Sequence, residues 1–468
     1  MSISKLSDNV LLEIFDFYRN QDLNDRGYFA AWNWHTLVHV CRRWRQIILA
    51  SPNRLDLRIL CTQRTPVRKS LSIWPPFPIT VYYCNPPRGI ANKYEDNIVA
   101  ALEHPDRVRY LKLDLTGMQL EKLVPVMQDS FPVLMALDIF LRNGNSIVLP
   151  ADFLGGSAPC LKIIHFDAIP FPGLPALLLS ATDLVTLELN NIPPKGYISP
   201  DAIIGSLVAL PRLKHLTIVF EYLTTQLIRT HPPLPPTTHV FLPALTSFNF
   251  QGAGKYLEAL VVPIDGPQLT RILIDYSDES DGLVVAEFSK FFDRSASPEI
   301  IPTLAKVHIS GFAAQFDMYR HANHLYSDSH HPSTRLSCQG FNLLVPELAH
   351  IFSQFFTVVS TIVHLKIYFP FVSGLPLVTT GAEWLPFFNH LSTVQALYIS
   401  PAFARHIARG LANFTGEMIA EAWPSLDLIC LEDQPTSSLK KFILARRLSG
   451  RPVTVVPTEK EFDQRVLS

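Results

Sequence analysis

The sequence has 468 residues, 48% hydrophobic and 17% charged, with a formal net charge of −1 at pH 7. This composition excludes a wholly disordered chain, because so much apolar surface can offset the conformational entropy lost on folding. The near-neutral charge argues against a protein whose main task is to neutralise nucleic-acid phosphates. The length favours more than one domain, since single cores usually stop growing at about 250 to 300 residues.

Cysteine usage and hydropathy predict the compartment. The six cysteines are scattered and form no Cys-x-x-Cys pair, which favours a reducing environment in which thiols act as small hydrophobic groups. The first ten residues contain no long apolar segment, and no stretch approaches the roughly 18 uninterrupted apolar residues of a membrane-spanning helix. We therefore expect an intracellular protein, cytoplasmic and/or nuclear, without a membrane partner.

Two amphipathic helices are predicted at the start of the chain. In the first, from Asp8 to Tyr18, apolar residues recur at helical spacing, and Ser7 or Asp8 can cap the first turn. The second runs from about Trp34 to Ala50, with its arginines mostly off the apolar face. It should end at Ser51, because Pro52 disfavours helical geometry in the residue before it.

These helices carry a resemblance to a known family. The segments Leu6–Phe15 (LSDNVLLEIF) and Leu37–Arg45 (LVHVCRRWR), followed by Ser51 and Pro52, resemble the F-box, particularly as found in the expanded F-box families of fungi. The resemblance covers about Lys5 to Arg54, and the VCRRWR half is its more specific part.

The F-box resemblance implies a docking function. F-boxes interlock with a Skp-type adaptor, which connects to a cullin. About fifty residues bury too little area to be comfortably stable alone, which suits a module that exposes apolar side chains to a partner helix. The positions that the resemblance assigns to adaptor contact are Leu6, Leu11, Ile14, Phe15, Leu37, Val40, Cys41 and Trp44.

Two departures from the family keep an alternative open. Ser7 stands where family members usually have proline, and the segment Asn20–Asn33 is longer than the usual turn between the helices. The alternative is a scaffold or protein-interaction repeat domain with a degenerate F-box and no ligase role. In that case the apolar residues of the first helices would pack only against the rest of the chain.

Residues 57–104 are predicted to form a connector. Between Trp74 and Gly89 the chain is dense in proline and aromatic residues. The prolines cannot continue a helix, and the aromatic residues are too apolar for a solvated flexible linker. We expect this segment to be extended and to pack on the domain that follows, leaving an F-box module over residues 1–56.

From residue 105 to 468 a short apolar pattern recurs. Eleven units have the form apolar-x-x-apolar-x-apolar, and their first residues are 23 to 35 positions apart except for a gap of 58 between Leu304 and Ile362, where a degraded unit near Leu336 is possible. The first residues of the units are Val108, Leu134, Leu161, Leu184, Leu213, Leu245, Leu269, Leu304, Ile362, Val394 and Leu426.

Prolines punctuate the repeat. In seven of the eleven units a proline stands two residues before the first apolar position, as Pro132 does before Leu134. A proline there ends a helix and fixes an extended backbone at the entry to a strand. This region resembles the leucine-rich-repeat-like domains attached to many F-boxes, although the usual later Asn or Cys is largely missing. An unrelated α/β domain with many short strands is the alternative.

The predicted fold is therefore α/β: a small all-α module, then an irregular solenoid with a parallel sheet on its concave face. Such a face binds proteins over a broad area, but the sequence identifies no substrate-binding residues. The polar residues that flank the strand cores are Lys112, Asp114, Asp138, His165, Glu188, Lys214, His308 and Lys366. A solvated sheet face explains them equally well.

No catalytic constellation, cofactor motif or metal site is predicted. His321, His324, Asp328, His330 and His331 lie in a polar loop without a nearby cysteine, and the pair His35 and His39 is explained by the helix. Basic residues cluster from Arg42 to Lys69, but a solvated rim is commoner than a nucleic-acid site. The sequence predicts a non-enzymatic substrate receptor of a cullin-type ubiquitin ligase, with an unknown protein substrate.

Overall fold

The computed structural model describes residues 5–26, 34–84, 95–142, 147–221, 239–277, 286–295, 302–310, 313–319, 332–339, 361–369, 391–412 and 423–467. The chain divides into two compact units, and each is described by itself. The first comprises Met1–Ile198 and Gly205–Leu213, and the second comprises Ser199–Ile204 and Lys214–Ser468. The histidine-rich loop from His321 to His331 lies outside the described residues.

Three helices open the first unit: α1 (Asp8–Arg26), α2 (Trp34–Val38) and α3 (Arg42–Leu49). The single helix predicted from Trp34 to Ala50 is therefore wrong, because the chain turns at His39 and Val40. Cys41 then adopts an extended backbone, with φ of −157°, and its Sγ accepts a hydrogen bond from the backbone N–H of Trp44 at 3.4 Å. A residue in this conformation begins a new helix rather than continuing one.

Aromatic contacts hold these helices together and onto the sheet. The rings of Phe15 and Trp44 meet edge to face at 4.9 Å, which joins α1 to α3. Trp34 packs on Trp74 and Phe77 at 4.9 and 5.5 Å, and its indole Nε1 donates to the backbone oxygen of Arg58 at 2.7 Å. The helical segment is thus part of the first unit's core.

The first unit's sheet is parallel and follows chain order. Its strands are β1 (Ile59–Thr62), β2 (Ile79–Cys84), β3 (Val108–Leu115), β4 (Ala136–Leu141), β5 (Ile163–Asp167) and β6 (Thr186–Ile192). The α-helices described between residues 57 and 198 are α4 (Val67–Ile73), α5 (Glu95–Leu102), α6 (Gly117–Leu123) and α7 (Leu174–Leu178). The next helix, α8 (Pro200–Leu207), has residues in both units.

Residues 57–104 differ from the predicted connector. They supply β1 and β2, and β2 pairs in parallel with both β1 and β3. Pro75, Pro76 and Pro78 precede β2, and within the strand Ile79, Val81 and Tyr83 supply buried side chains at alternate positions. The repeat array therefore begins about fifty residues earlier than the pattern indicated, because these early repeats lack the leucine spacing of the later ones.

The second unit contains a larger sheet. Its strands are β7 (His215–Phe220), β9 (Ser247–Ala253), β11 (Arg271–Ser277), β12 (Leu304–Ile309), β13 (Ala313–Tyr319), β14 (Thr334–Gln339), β15 (His364–Tyr368), β16 (Ala396–Ile399), β17 (Leu428–Leu431) and β18 (Thr454–Val456). Strands β8 (Val240–Phe241) and β10 (Ile264–Asp265) form a separate pair. The helices are α9 (Gly254–Val261), α10 (Ala286–Ser295), α11 (Pro401–Ala412), α12 (Ser437–Leu448) and α13 (Glu459–Leu467).

An inserted meander interrupts the parallel order in this unit. The spatial order is β7-β9-β11-β14-β13-β12-β15-β16-β17-β18, and β13 is antiparallel to both of its neighbours. The degraded unit predicted near Leu336 is a strand, β14, but it lies beside β11 rather than between β12 and β15. Between β12 and β13 the backbone N–H of Ser310 donates to the carbonyl oxygen of Ala313 at 2.7 Å, and the two strands run in opposite directions.

In all eleven predicted apolar units, the second and third apolar positions fall on a strand. In β4, for example, Leu137 and Ile139 are fully buried, and Leu134 is buried in the turn that precedes the strand. Residues between them, such as Asp138, point to the opposite face, because side chains alternate along a strand. The predicted mixed α/β class with a mostly parallel sheet is confirmed, and the face that carries the intervening polar residues is called the polar face below.

Candidate protein-interaction surfaces

The structure divides the eight predicted adaptor-contact residues into three groups. Leu11 and Phe15 are buried within the chain, and Leu6, Leu37 and Trp44 are half-buried. Ile14, Val40 and Cys41 are exposed. Leu11 and Phe15 therefore hold α1 against the rest of the first unit. Ile14, Val40 and Cys41 are the residues that offer surface.

The outer face of α1 carries an apolar stripe that the sequence interpretation identified only in part. Val10, Ile14, Phe17 and Tyr18 are spaced as neighbours on one helical face and are 44, 46, 67 and 40% exposed. We call these four residues the α1 stripe. Phe17 was missed because α1 is apolar on two sides, and the spacing alone does not say which side is buried.

Ion pairs fix α1 in place. Arg43 of α3 donates to Asp8 at 2.7 Å and to the backbone oxygen of Leu6 at 2.5 Å. Arg54 forms a second ion pair with Glu13. Arg58 and Arg68, also from the basic cluster between Arg42 and Lys69, are paired with Asp56 and Glu103. Four of these arginines therefore meet carboxylates of the same chain.

His35 lies in α2, and His39 lies in the turn that follows it. Burial, followed by the charge of His39, lowers the pKa of His35, which favours its neutral form. Within the described residues, no cluster of three or more His, Cys, Asp or Glu side chains could hold a metal ion.

A row of charged residues crosses the polar face of the first unit. The register places Lys112, Asp138, His165 and Glu188 directly opposite one another on β3 to β6. Lys112 Nζ lies 3.2 Å from Asp138 Oδ2, and His165 Nδ1 lies 2.8 Å from Asp138 Oδ1. His165 Nε2 lies 3.5 Å from Glu188 Oε2. We call these four residues the polar row.

The polar row is built around a buried carboxylate. Asp138 is only 3% exposed, and its two oxygens meet a lysine and an imidazole. Burial is the largest influence on the pKa of His165 and lowers it. The hydrogen bond and charge of Asp138, with the charge of Glu188, outweigh burial and hold this pKa above its ordinary value. The charged imidazolium form of His165 is thus favoured, and it interacts with Asp138 of β4 and Glu188 of β6.

A second row lies beside the polar row. Asp114 of β3 pairs with Arg142, and the thiol of Cys84 donates to Asp114 at 3.6 Å. Asn191 donates to Asp167 at 2.9 Å. The polar face of the first unit therefore carries two rows rich in hydrogen-bonding and charged groups. Phe140 stands between Asp114 and Asp167 in the second row, and an apolar cluster of Tyr110, Ala136 and Ile163 lies beside the polar row.

The polar face of the second unit differs, because part of it is covered. Lys214 and His308 are exposed, as expected, and the His308 ring stacks on Tyr368 at 4.6 Å. Lys366 was expected to face solvent, but it is only 2% exposed. Helix α13 covers it, so Lys366 is not part of an open surface.

Helix α13 contacts the polar face of β15 to β18 through Glu459, Phe462, Asp463 and Val466. Lys366 Nζ lies 2.7 Å from Glu459 Oε1 and 2.6 Å from Asp463 Oδ1. Phe462 is fully buried in a cluster with Ala396, Tyr398, Cys430 and Val456. Burial by itself would raise the pKa of Glu459. The hydrogen bonds from Lys366 and Tyr368 and the charge of Lys366 together bring it below its ordinary value.

Comparison with known proteins adds little to this description. No family model and no curated protein matches the sequence. Among solved structures, the chain is similar to the leucine-rich repeat-containing protein LegL7 from Legionella pneumophila, with 14% sequence identity over 71% of this chain and 95% of that chain, and a TM-score of 0.24. In the described part of the chain, no helix combines the length and apolarity needed to cross a membrane.

Proposed function

We propose that this protein is a non-catalytic substrate receptor of a cullin-type ubiquitin ligase. Helices α1 to α3 would dock a Skp-type adaptor, and the polar faces of the repeats would hold the target protein. Its contribution would be proximity and orientation of the target beside a ubiquitin-loaded enzyme, which requires no acid, base or nucleophile of its own.

The observation that carries this proposal is the exposed apolar surface on the F-box-like segment. The α1 stripe leaves four large apolar side chains in solvent, and Val40, at the break between α2 and α3, is 59% exposed. Full burial of a large apolar side chain from water is worth about 1.5 to 3 kcal/mol, and roughly half of that remains to be gained at these half-exposed positions. An apolar face on a helix is also the surface that a groove or a second helix recognises.

The burial of Leu11 and Phe15 is compatible with this function. An adaptor can bind only a folded module, and these two side chains fix α1 against α3 through the contact of Phe15 with Trp44. Of the eight residues that the F-box resemblance assigns to adaptor contact, Ile14 and Val40 would make direct contact, with Val10 and Phe17 added from the α1 stripe.

The test is co-expression of the full chain with a Skp-type adaptor, followed by affinity capture. The double variant Ile14→Asp with Phe17→Asp places two charges on the α1 stripe and should abolish capture. The matched control is Met118→Asp on α6, whose side chain is 75% exposed and lies outside the F-box-like segment. It should bind the adaptor as the unaltered chain does.

Two outcomes would overturn the ligase proposal. One is that the folded, unaltered chain fails to retain the adaptor. The other is that the double variant retains it as well as the control does. Either would favour the scaffold alternative, in which the repeat domain binds proteins and the F-box-like segment has no adaptor.

A further inference from the structure

The end of the chain lies on the polar face of the second unit rather than on its core. Strand residues Leu397 and Ile399 belong to the core face, whereas Tyr398 and Cys430 belong to the polar face and are packed against Phe462 of α13. Ile399 and Leu431 of the core face line one small cavity together with Leu439 of the preceding helix, α12, so α12 lies on that side of the sheet. Helices α12 and α13 therefore lie on opposite faces of β16 and β17.

The contact has the composition of a recognition site. Phe462 is the anchor, and its ring centroid lies 6.2 Å from that of Tyr398. Lys366 Nζ lies 5.8 Å from the ring centroids of both Tyr398 and Phe462. An aromatic side chain in a fully desolvated pocket beside a paired charge is the pattern of residues that dominate binding energy at interfaces.

The pattern on α13 is short and specific. Glu459, Phe462 and Asp463 stand at positions i, i+3 and i+4, so they share one helical face. Thr458 caps the helix, since its hydroxyl accepts from the N–H of Glu461 at 3.2 Å. The two carboxylates converge on Lys366, and the Tyr368 hydroxyl also donates to Glu459.

The cationic character of the face extends beyond α13. The register places Lys306 of β12 directly beside Lys366 of β15. Burial, followed by the positive charge of Lys366, lowers the pKa of Lys306. On its other side Lys306 lies beside Asp317 of β13, which forms an ion pair with Arg335 of β14. Three cations and one carboxylate of the sheet are therefore neighbours on this face, so an acidic ligand is favoured there and a basic one is disfavoured.

We propose that the polar face of β15 to β18 is a binding site for an acidic helical segment with an aromatic anchor, and that α13 fills this site in cis. A target that carries the same spacing of acid, aromatic and acid would compete with α13 for Lys366 and the Phe462 pocket. The binding site stands on the contacts of α13 alone, whereas the identity of its ligand as a ligase target rests on the proposed function.

The test compares two full-length variants that change the same residue type on the same helix. Glu459→Lys places a positive charge against Lys366 and should release α13. Glu461→Lys is the matched control, because Glu461 faces Arg465 at 3.5 Å on the exposed side. The probe is a fluorescent peptide with the sequence of residues 457–468, and its binding to each chain is measured by fluorescence anisotropy.

Release of α13 has its own readout. Cys430 is fully buried beneath the helix, and burial, followed by the charges of Glu432 and Glu459, raises its pKa to about 12. Cys61 on β1 is also fully buried, and burial raises its pKa to about 12. In Glu459→Lys the alkylation rate of Cys430, resolved by mass spectrometry, should rise at least about tenfold, while that of Cys61 should not change.

The expected result is that the peptide binds Glu459→Lys at least about tenfold more tightly than it binds the unaltered chain or Glu461→Lys. A peptide with alanine in place of Phe462 should bind about tenfold more weakly. The proposal is overturned if Cys430 becomes reactive but no peptide binds, if Cys430 stays unreactive in Glu459→Lys, or if the peptide binds all three chains alike.

A measurement on the unaltered chain covers the case in which Glu459→Lys does not fold. Hydrogen exchange should show that α13 amides exchange faster than those of β16 and β17, because a displaceable helix opens locally. Equal protection would mark α13 as a fixed part of the core and overturn the proposal. Adaptor capture plays no part in these measurements, so failure of the ligase proposal would leave a site whose ligand is some other protein.

Discussion

Lys366 and Glu459 are 93 positions apart in the sequence, yet Nζ of the lysine lies 2.7 Å from Oε1 of the glutamate. Asp463 completes the arrangement, so one buried ammonium meets two carboxylates. Such a group is stable only while its partners are present, because a buried charge without a counter-charge loses its hydration without compensation. The end of the chain is thus coupled to the stability of β15.

Removing the lysine charge should be costly. Lys366→Met keeps most of the side-chain volume but leaves two neighbouring carboxylates without a cation, and we expect a loss of about 2 to 3 kcal/mol in the free energy of unfolding. This is less than for a fully buried pair, since the Glu459 side chain is 35% exposed and water screens it. Urea unfolding followed by circular dichroism measures the loss.

Lys122→Met is the matched control. Lys122 also pairs with a glutamate, Glu95 at 2.9 Å, but its side chain is 58% exposed. Exposed ion pairs contribute about 1 kcal/mol or less, so this variant should unfold near the midpoint of the unaltered chain. Equal losses for the two lysines would contradict the burial that the structure assigns to Lys366.

The repeat strands could be predicted from the sequence, whereas the burial of Lys366 could not. The three-position apolar pattern reports which residues of a strand enter a core, and for Leu137 and Ile139 this is a local property. The cover over Lys366 comes from a helix 93 positions away, and no local pattern encodes such a contact.

Three other differences have physical causes that the apolar pattern does not report. The sequence contained the strand around Leu336, but strand pairing beside β11 depends on the turn at Ser310 and on long-range register. The break between α2 and α3 depends on the extended backbone of Cys41, a residue type that rarely signals a helix start. In α1, apolar residues on two sides left the choice of buried face to tertiary packing.

The contributions of His165 and His364 to stability should change with pH in opposite directions. The pKa of His165 is raised, so its charged form contributes stability that is fully present below the ordinary pKa and is lost as pH rises through the higher folded value. The free-energy difference between the unaltered chain and His165→Gln should therefore be larger at about pH 5.5 than at about pH 8.5.

His364 supplies the control of opposite sign. Burial lowers its pKa, so the folded chain resists a proton that the unfolded chain accepts, and stability falls as pH falls through the ordinary value. The difference between the unaltered chain and His364→Gln should be smaller at about pH 5.5 than at about pH 8.5. Unfolding measured at both pH values tests each sign, and a shared direction would contradict the two environments.

Neighbouring residues of α1 should differ in their contribution to stability. Phe15→Ala removes a fully buried ring that contacts Trp44 and should cost about 3 kcal/mol or more. Ile14→Ala alters the exposed α1 stripe and should change the free energy of unfolding by about 0.5 kcal/mol or less. Thermal unfolding of the two variants provides the measurement. A large cost at Ile14 would mean that the stripe is covered within the chain, which would remove the surface proposed for the adaptor.

Two glycines should respond in opposite ways to the same substitution. Gly155 has a φ of +65°, and a Cβ atom there would lie 2.9 Å from the backbone nitrogen of Ser130. Gly155→Ala should therefore cost about 2 kcal/mol, because both the backbone conformation and the contact are unfavourable for alanine. Backbone atoms cannot yield as the end of a flexible side chain does.

Gly205 lies within α8, and a Cβ atom there would meet nothing within 4 Å. Gly205→Ala should raise the free energy of unfolding by about 0.5 to 1 kcal/mol, since alanine restricts the unfolded chain and favours the helix. Both variants can be compared in one urea series. If Gly205→Ala lowered stability as much as Gly155→Ala does, there could be no open space around Gly205. That result would contradict the environment that the structure gives this residue.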